Sequence, residues 1–315
     1  MIKIIGTGSY VPEKVVTNDD LATMVETNDE WITQRVGIRE RHVSETETTA
    51  DMAIKAAKKA IEAANIDPTD IDIIVAATIT GDCICPTVAG YVQQAIGAKC
   101  PAFDVSSACS GFLFALETAV SFICRGYKRA LVIGAERLSK IVDWTDRSTC
   151  VIFADGAGAA IIEEGDGYLA SKIATIGGDK VIKIPAHVGI SPFYKNEGEK
   201  LGIFMDGQET FKFAVSTISN ELRGVVEAAG LTPDDVDHVV LHQANMRIIE
   251  YAAKRLKMPI EKFMVNIAKY GNTSSASVPI ALDELVRSGK IKRGDILVMC
   301  AFGGGLSSAA CVIKY

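Results

Sequence analysis

Several runs of this chain are apolar at every position, not at alternate ones. Ala130-Leu-Val-Ile-Gly134, Ala159-Ala-Ile-Ile162 and Asp295-Ile-Leu-Val-Met-Cys300 offer almost no polar face to solvent. Such runs predict strands in sheets covered on both sides. The opening Met1-Ile-Lys-Ile-Ile-Gly-Thr-Gly8 reads as a further core strand, not a cleavable leader. The most apolar stretch, Ala108 to Cys124, predicts a buried helix. Glu117 interrupts it, and it is too short to span a bilayer comfortably.

The pattern repeats. Glu62-Ala-Ala-Asn-Ile-Asp-Pro-Thr-Asp-Ile-Asp-Ile-Ile-Val75 matches Glu227-Ala-Ala-Gly-Leu-Thr-Pro-Asp-Asp-Val-Asp-His-Val-Val240 at an offset of 165 residues. Each copy reads as the end of an amphipathic helix, a Pro-Asp turn and a buried strand. Near the same offset, the apolar helix after Cys109 corresponds to one after Asn272, and each reaches Ala-Leu and an acid, Glu117 or Asp283. One duplicated α/β unit explains both matches better than a solenoid array. The halves are expected at 1–166 and 167–315, divided near Gly165-Asp-Gly167. A pseudo-twofold arrangement would bring Cys109 and Asn272 together.

Three polar residues stand where apolar segments turn. Cys109 sits at the start of the buried helix, in Asp104-Val-Ser-Ser-Ala-Cys-Ser-Gly111. Free backbone N–H groups and the helix dipole favour a thiolate there, so a lowered pKa is expected. His242 ends the strand in Asp237-His-Val-Val-Leu-His-Gln-Ala-Asn245, and Asn272 precedes the second apolar helix. A thiol, an imidazole and an amide suit thioester chemistry. Taken singly, a strand-end His is an ordinary structural residue and an Asn before Thr an ordinary cap.

Composition narrows the setting. Of 315 residues, 48% are apolar and 23% charged, as in a globular protein with a large core, and the net charge of −6 argues against nucleic acid. The eight cysteines mostly lie inside apolar runs without disulfide-scaffold spacing, so a reducing cytoplasm is expected. Cys83-Ile-Cys85 lacks both zinc-knuckle spacing and a nearby His. No metal is expected.

The whole chain closely resembles the 3-oxoacyl-[acyl-carrier-protein] synthase III family. The likeness is carried by the segments Trp31–His42, the cysteine segment, Phe153–Ala160, Met205–Phe211, His242-Gln-Ala-Asn-Met-Arg247, Asn272-Thr-Ser-Ser-Ala-Ser277 and Phe302–Gly305. The resemblance implies the thiolase fold, five layers α-β-α-β-α. It also implies a decarboxylating condensation of an acyl-CoA with malonyl-ACP, without cofactor, in a homodimer that touches no nucleic acid and no membrane.

The same resemblance implies roles for residues. Cys109 is the nucleophile, and its N–H with that of Gly304 forms the oxyanion hole. His242 and Asn272 serve the enolate. Trp31, Arg35, Arg147, Met205, Gly207, Phe211, Ala244, Asn245, Ile248 and Phe302 are expected to contact coenzyme A or substrate, with the adenine between Trp31 and Arg147. Gln243, Ala244, Asn245, Met246, Arg247, Lys212, Lys254 and Arg255 are expected to face the carrier protein. Cys85 stands where relatives often carry a phenylalanine that closes the acyl pocket across the dimer. Rival readings are a Cys-His-Asn hydrolase, a non-catalytic carrier-binding scaffold and a sister condensing enzyme of secondary metabolism.

Overall fold

Each apolar run becomes a strand of one of two five-stranded sheets. The structure is a computed structural model that describes residues 2–185 and 202–315. The first sheet holds β1 (Ile2–Tyr10), β2 (Ile73–Ala77), β3 (Ala102–Val105), β4 (Arg129–Arg137) and β5 (Asp155–Glu164), in the order β1-β5-β4-β2-β3. The second holds β6 (Tyr168–Thr175), β7 (His238–Leu241), β8 (Phe263–Met264), β9 (Ile296–Gly303) and β10 (Ser307–Lys314), in the order β6-β10-β9-β7-β8. In both sheets the first two pairings are antiparallel and the last two parallel. One topology is used twice.

Seven helices of eight residues or more accompany the sheets among the described residues: α1 (Asp29–Val36), α2 (Thr49–Ala64), α3 (Val88–Ile96), α4 (Gly111–Ile123), α5 (Gly207–Ala228), α6 (Met246–Leu256) and α7 (Ser277–Arg287). The repeated sequence maps onto equivalent pieces. Helix α2 leads through a 3₁₀ turn at Pro68–Asp70 into β2, and α5 leads through Pro233–Asp235 into β7. Proline suits the first position of such a turn because its φ is preset and its missing N–H would be unpaired there.

Helices α4 and α7 form the middle layer. Phe112 and Leu116 of α4, Val278 and Leu282 of α7, Val132 of β4 and Leu297 of β9 share one buried cluster. Helices α2 and α3 cover the outer face of the first sheet, and α5 and α6 that of the second. The result is the five-layered thiolase arrangement. Helix α4 is apolar nearly all round because sheets lie on both sides of it. Among the described residues no helix is long and apolar enough to cross a membrane.

Two glycines set how closely the halves meet. A Cβ on Gly134 of β4 would lie 2.2 Å from the Ser275 carbonyl oxygen. One on Gly158 of β5 would lie 2.7 Å from the Ile280 nitrogen of α7. Both clashes are with backbone, which cannot swing aside. Gly158→Ala should therefore cost about 3 kcal/mol in denaturant unfolding, at the upper end for overpacking. Gly224→Ala, inside α5 with nothing near its added methyl, should gain up to about 1 kcal/mol. Equal effects of the two would show that the close approach is not what limits the first site.

Candidate active site

Strand β3 ends in a 3₁₀ turn, Ala108–Ser110, that leads straight into α4 and carries Cys109. The same device precedes α7, where the turn is Ser274–Ala276 and Asn272 lies just before it. Ala108 (φ 43°) and Ser274 (φ 50°) open the two turns in the left-handed region, unusual for residues with a Cβ. Strand β7 delivers His242 beside them. Cys109, His242 and Asn272 line one cavity of about 570 Å³.

Burial, not the helix dipole, decides the state of the thiol. Cys109 keeps some exposure to the cavity, yet loss of solvation pushes it up to about 12. The Ser274 hydroxyl opposes that shift and the nearby Glu136 carboxylate adds to it. The thiolate expected from the helix-start position is overturned: the resting sulfur holds its proton.

His242 is 2% exposed, and burial drives its pKa down to about 3. The imidazole is neutral at every ordinary pH. Its Nδ1 lies 2.6 Å from the Ser277 hydroxyl, and that oxygen also accepts the Gln243 N–H at 3.4 Å. A Ser277 hydroxyl that gives its proton to Nδ1 leaves the ring proton on Nε2 as a donor, and this is the tautomer the mechanism below uses. The Phe302 ring packs edge-on to the imidazole at 5.2 Å.

Asn272 is fixed from the opposite half. Its N–H donates to the Ile152 carbonyl and its own carbonyl accepts from the Ala154 N–H, both at 3.0 Å. Its side-chain oxygen accepts the Ser274 N–H at 2.8 Å, which leaves the amide NH₂ as a donor. Gly303 closes the site from β9. A Cβ there would stand 2.7 Å from the Cys109 nitrogen, so the backbones of the two halves touch at the sulfur. Gly304 lies next to it, beside Ala108 and Ile182.

The cavity also gathers Arg35, Met205, Gly207, Phe211, Lys212, Ala244, Asn245, Arg247, Ile248, Phe302 and Gly304 from the sequence-based set. Trp31, Arg147, Gln243, Met246, Lys254, Arg255 and Cys85 are outside its lining. Two guanidinium groups approach the Trp31 ring, Arg35 at 5.6 Å and Arg147 at 5.4 Å from its centroid. An adenine inserted between Trp31 and Arg147 needs two contact distances, about 7–8 Å. Arg147 would have to move to admit one, because in this structure it also donates to the Glu26 carbonyl.

Gln243 is 1% exposed, and its side chain bonds the Leu241 and Met264 carbonyls and the Asn266 N–H. It braces the site from beneath and presents no surface, which corrects its assignment to a docking face. Arg247, Lys254 and Arg255 are exposed along α6. Cys85 is exposed on the segment before α3. Sequence reasoning missed Ser277, Ser274 and Glu136. Their one signal was polarity against context: an acid directly after the apolar run of β4, and hydroxyls opening an apolar helix.

Sequence profiles described as 3-oxoacyl-[acyl-carrier-protein (ACP)] synthase III match residues 103–177, and those of its C-terminal part match residues 226–315. The beta-ketoacyl-[acyl-carrier-protein] synthase III of Clostridium acetobutylicum is 50% identical, covering 100% of this chain and 98% of its own length. The crystal structure of 3-oxoacyl-[acyl-carrier-protein] synthase III from Aquifex aeolicus VF5 superposes with a TM-score of 0.93 at 47% identity over 100% of both chains. The priming beta-ketosynthase of the R1128 polyketide pathway gives a TM-score of 0.92 at 36% identity, covering 99% of this chain and 95% of that one.

Proposed function

This chain belongs to the 3-oxoacyl-[acyl-carrier-protein] synthase III family, and from that premise we propose how its own residues share out the reaction. It is an acyltransferase that performs the initiating condensation of fatty-acid synthesis. An acyl-CoA primer transfers its acyl group to Cys109, and coenzyme A leaves. Malonyl-ACP enters and loses carbon dioxide, and the resulting carbanion attacks the acyl-cysteine to give 3-oxoacyl-ACP. Neither half needs a redox or metal cofactor in this scheme.

One observation carries the assignment. The imidazole and the amide beside the thiol each have their acceptor atom already bound, His242 to Ser277 and Asn272 to the Ser274 N–H. Both are left as neutral donors facing the cavity, the pair an enolate oxygen requires. The N–H groups of Cys109 and Gly304 are the proposed donors to the acyl-transfer oxyanion, each worth about 3–4 kcal/mol. Heavy-isotope acetyl-CoA should label Cys109 alone among the eight cysteines in peptide mapping. His242→Ala and Asn272→Ala should lower malonyl-ACP decarboxylation about 10²–10³-fold and acylation far less. Ser277→Ala should lower the same step about 3–10-fold, one net hydrogen bond. Loss of acylation with decarboxylation intact would reverse the roles.

Trp31, Arg35 and Arg147 are proposed to receive the coenzyme A head at the cavity mouth. Arg247, which sits over the Phe211 ring at 5.4 Å, begins a basic stripe continued by Lys254 and Arg255, with Lys212 alongside. Acyl carrier proteins are acidic, so this stripe is the proposed docking surface, with Ala244, Asn245 and Met246 at its edge. Lys254→Glu, away from the cavity, should raise the KM for malonyl-ACP about 2–5-fold, the worth of an exposed ion pair. The effect should fade at high salt and leave the KM for acetyl-CoA in place. Equal shifts for both substrates would remove the stripe from docking.

We further propose that the enzyme works as a cytoplasmic homodimer, in which Cys85 gauges the acyl pocket of the other subunit. A thiol in place of an aromatic ring leaves space for longer or branched primers. Cys85→Phe should then narrow kcat/KM toward acetyl-CoA, by about fourfold for each methylene the wild type accommodates. An unchanged profile across acetyl-, isobutyryl- and hexanoyl-CoA would show that Cys85 does not measure the chain. Product mass from acetyl-CoA and malonyl-ACP separates this reading from a secondary-metabolism sister such as the R1128 enzyme.

A further inference from the structure

The scheme leaves one proton unassigned. Cys109 rests as a thiol, and its proton must go elsewhere before the sulfur attacks. His242 is a poor acceptor, being fully desolvated with its pKa near 3. Coenzyme A leaves on the cavity side, where it meets solvent. Behind the sulfur, away from the cavity, stands a group that the condensation scheme does not use.

That group is Glu136, on β4 and fully buried. Its carboxylate accepts from the Thr80 hydroxyl (2.5 Å), the Ser275 hydroxyl (2.8 Å), the Ile79 N–H (3.2 Å), the Thr78 hydroxyl (3.3 Å) and the Ser274 hydroxyl (3.4 Å). None of these partners is a cation. A carboxylate buried without one is expensive and is rarely kept for bracing alone. Ser274 is the shared link. It lines the cavity beside Cys109, and its hydroxyl holds the thiol's pKa down against the effect of burial. The turn that carries it is held in the left-handed conformation, which is uncommon for serine.

We propose that Glu136 stores the Cys109 proton between the two half-reactions, passed through the Ser274 hydroxyl. During acylation the S–H bond breaks and its proton bonds to the Ser274 oxygen, while the Ser274 proton moves to a Glu136 oxygen. The sulfur pair forms the C–S bond to the acyl carbon. The bond from that carbon to coenzyme A breaks, and coenzyme A leaves as a thiolate that takes a proton from solvent. In condensation the carbanion attacks, the C–S bond to Cys109 breaks, and the sulfur leaves with its pair. Glu136 then returns the proton by the same path. One solvent proton is consumed per turnover, replacing the charge lost as the malonyl carboxylate departs as carbon dioxide.

Of the two candidate acceptors, Glu136 is the better placed energetically, its pKa lying nearer the thiol's than that of His242 does. Burial raises Glu136 to about 7 against the pull of its hydroxyl and N–H donors. Raised to that value, the carboxylate is ionised above neutral pH and able to accept, and protonated below it. The charged and titratable groups around it are few. Cys109 faces it from the turn before α4, and Lys140 interacts with it from the turn after β4. Lys140 is itself spent on the Thr80 and Gly81 carbonyls. From β5 the residue in register is Gly156, and the next, Asp155, is bound to Ser44 and Ser139. The Thr78–Thr80 and Ser274–Ser275 segments bring it only hydroxyls and the Ile79 N–H, none of them charged.

Glu136 acts through Ser274 and touches no substrate, so its test must separate relay from brace. The proposal rests on Cys109 as the nucleophile, which wild-type acetyl mapping checks by itself. Label on another cysteine would remove both readings, whereas label on Cys109 leaves the relay to the variants. Single-turnover acetylation by acetyl-CoA, followed by intact-protein mass over mildly acid to mildly alkaline pH, should rise in the wild type through a limb near 7.

Glu136→Gln should lose that limb and fall about 100-fold, the lower range for acid–base assistance. Ser274→Ala should do the same, the double variant should be no worse than either single one, and Glu136→Asp should restore a limb. Malonyl-ACP decarboxylation and acetyl-CoA affinity should fall far less. Retention of rate and limb in Glu136→Gln overturns the relay. So does an equal loss in both half-reactions with Glu136→Asp no better than Gln, which would mark a brace. If Glu136→Gln does not fold, Ser274→Ala alone decides by the same limb.

Discussion

The site depends on one contact, the backbone of Ser275 lying against the α-carbon of Gly134. Its carbonyl oxygen stands 2.2 Å from where a methyl would be, so no other residue fits in β4 at that point. This approach seats the turn before α7 directly on the first sheet. Asn272 can then bridge to Ile152 and Ala154, and Ser274 and Ser275 can reach Glu136. A sheet separation wider by one methyl would leave each of these hydrogen bonds too long to form.

Desolvation follows from that packing and shapes the chemistry. The same burial that raises the thiol to about 12 lowers the imidazole to about 3. Cys-His hydrolases of the papain type rely on the opposite state, a thiolate stabilised by its charged imidazole partner. Here Nδ1 of His242 pairs with Ser277, and the side-chain oxygen of Asn272 is taken by the Ser274 N–H. A Cys-His-Asn triad therefore does not form, although all three residues line one cavity. Neutral donors aimed at developing negative charge, with water displaced by apolar walls, favour acyl transfer and enolate formation over hydrolysis.

Much of this was legible in the sequence. Continuously apolar runs mark strands covered on both faces, and the Pro-Asp repeat marks duplicated helix-turn-strand units. Those signals depend on local order, and local order survives in both halves. The state of Cys109 was misread because a helix start is visible along the chain, whereas depth is not. Gln243 was assigned to docking together with its block, His242–Arg247, through the family resemblance. Only coordinates reveal that its amide closes three backbone hydrogen bonds beneath the site. Glu136 gave a faint signal, one acid at the end of an apolar strand, and its partners come from two distant turns.

Duplication also bears on why a cysteine stands at only one of the two turns. Each half builds the same device: a 3₁₀ turn opened by a left-handed residue, then a buried helix. In the first half the second turn residue is Cys109, facing the cavity. In the second half it is Ser275, whose hydroxyl is bound to the Ala77 carbonyl and to Glu136. Two nucleophiles on facing helix starts would compete for one cavity and one set of donors. With a hydroxyl locked into the core, the second turn instead holds the Asn272 amide in place and brings Ser274 to the cavity wall beside Cys109. Under the proposed mechanism the two equivalent turns divide between attack and support, so the halves are no longer interchangeable.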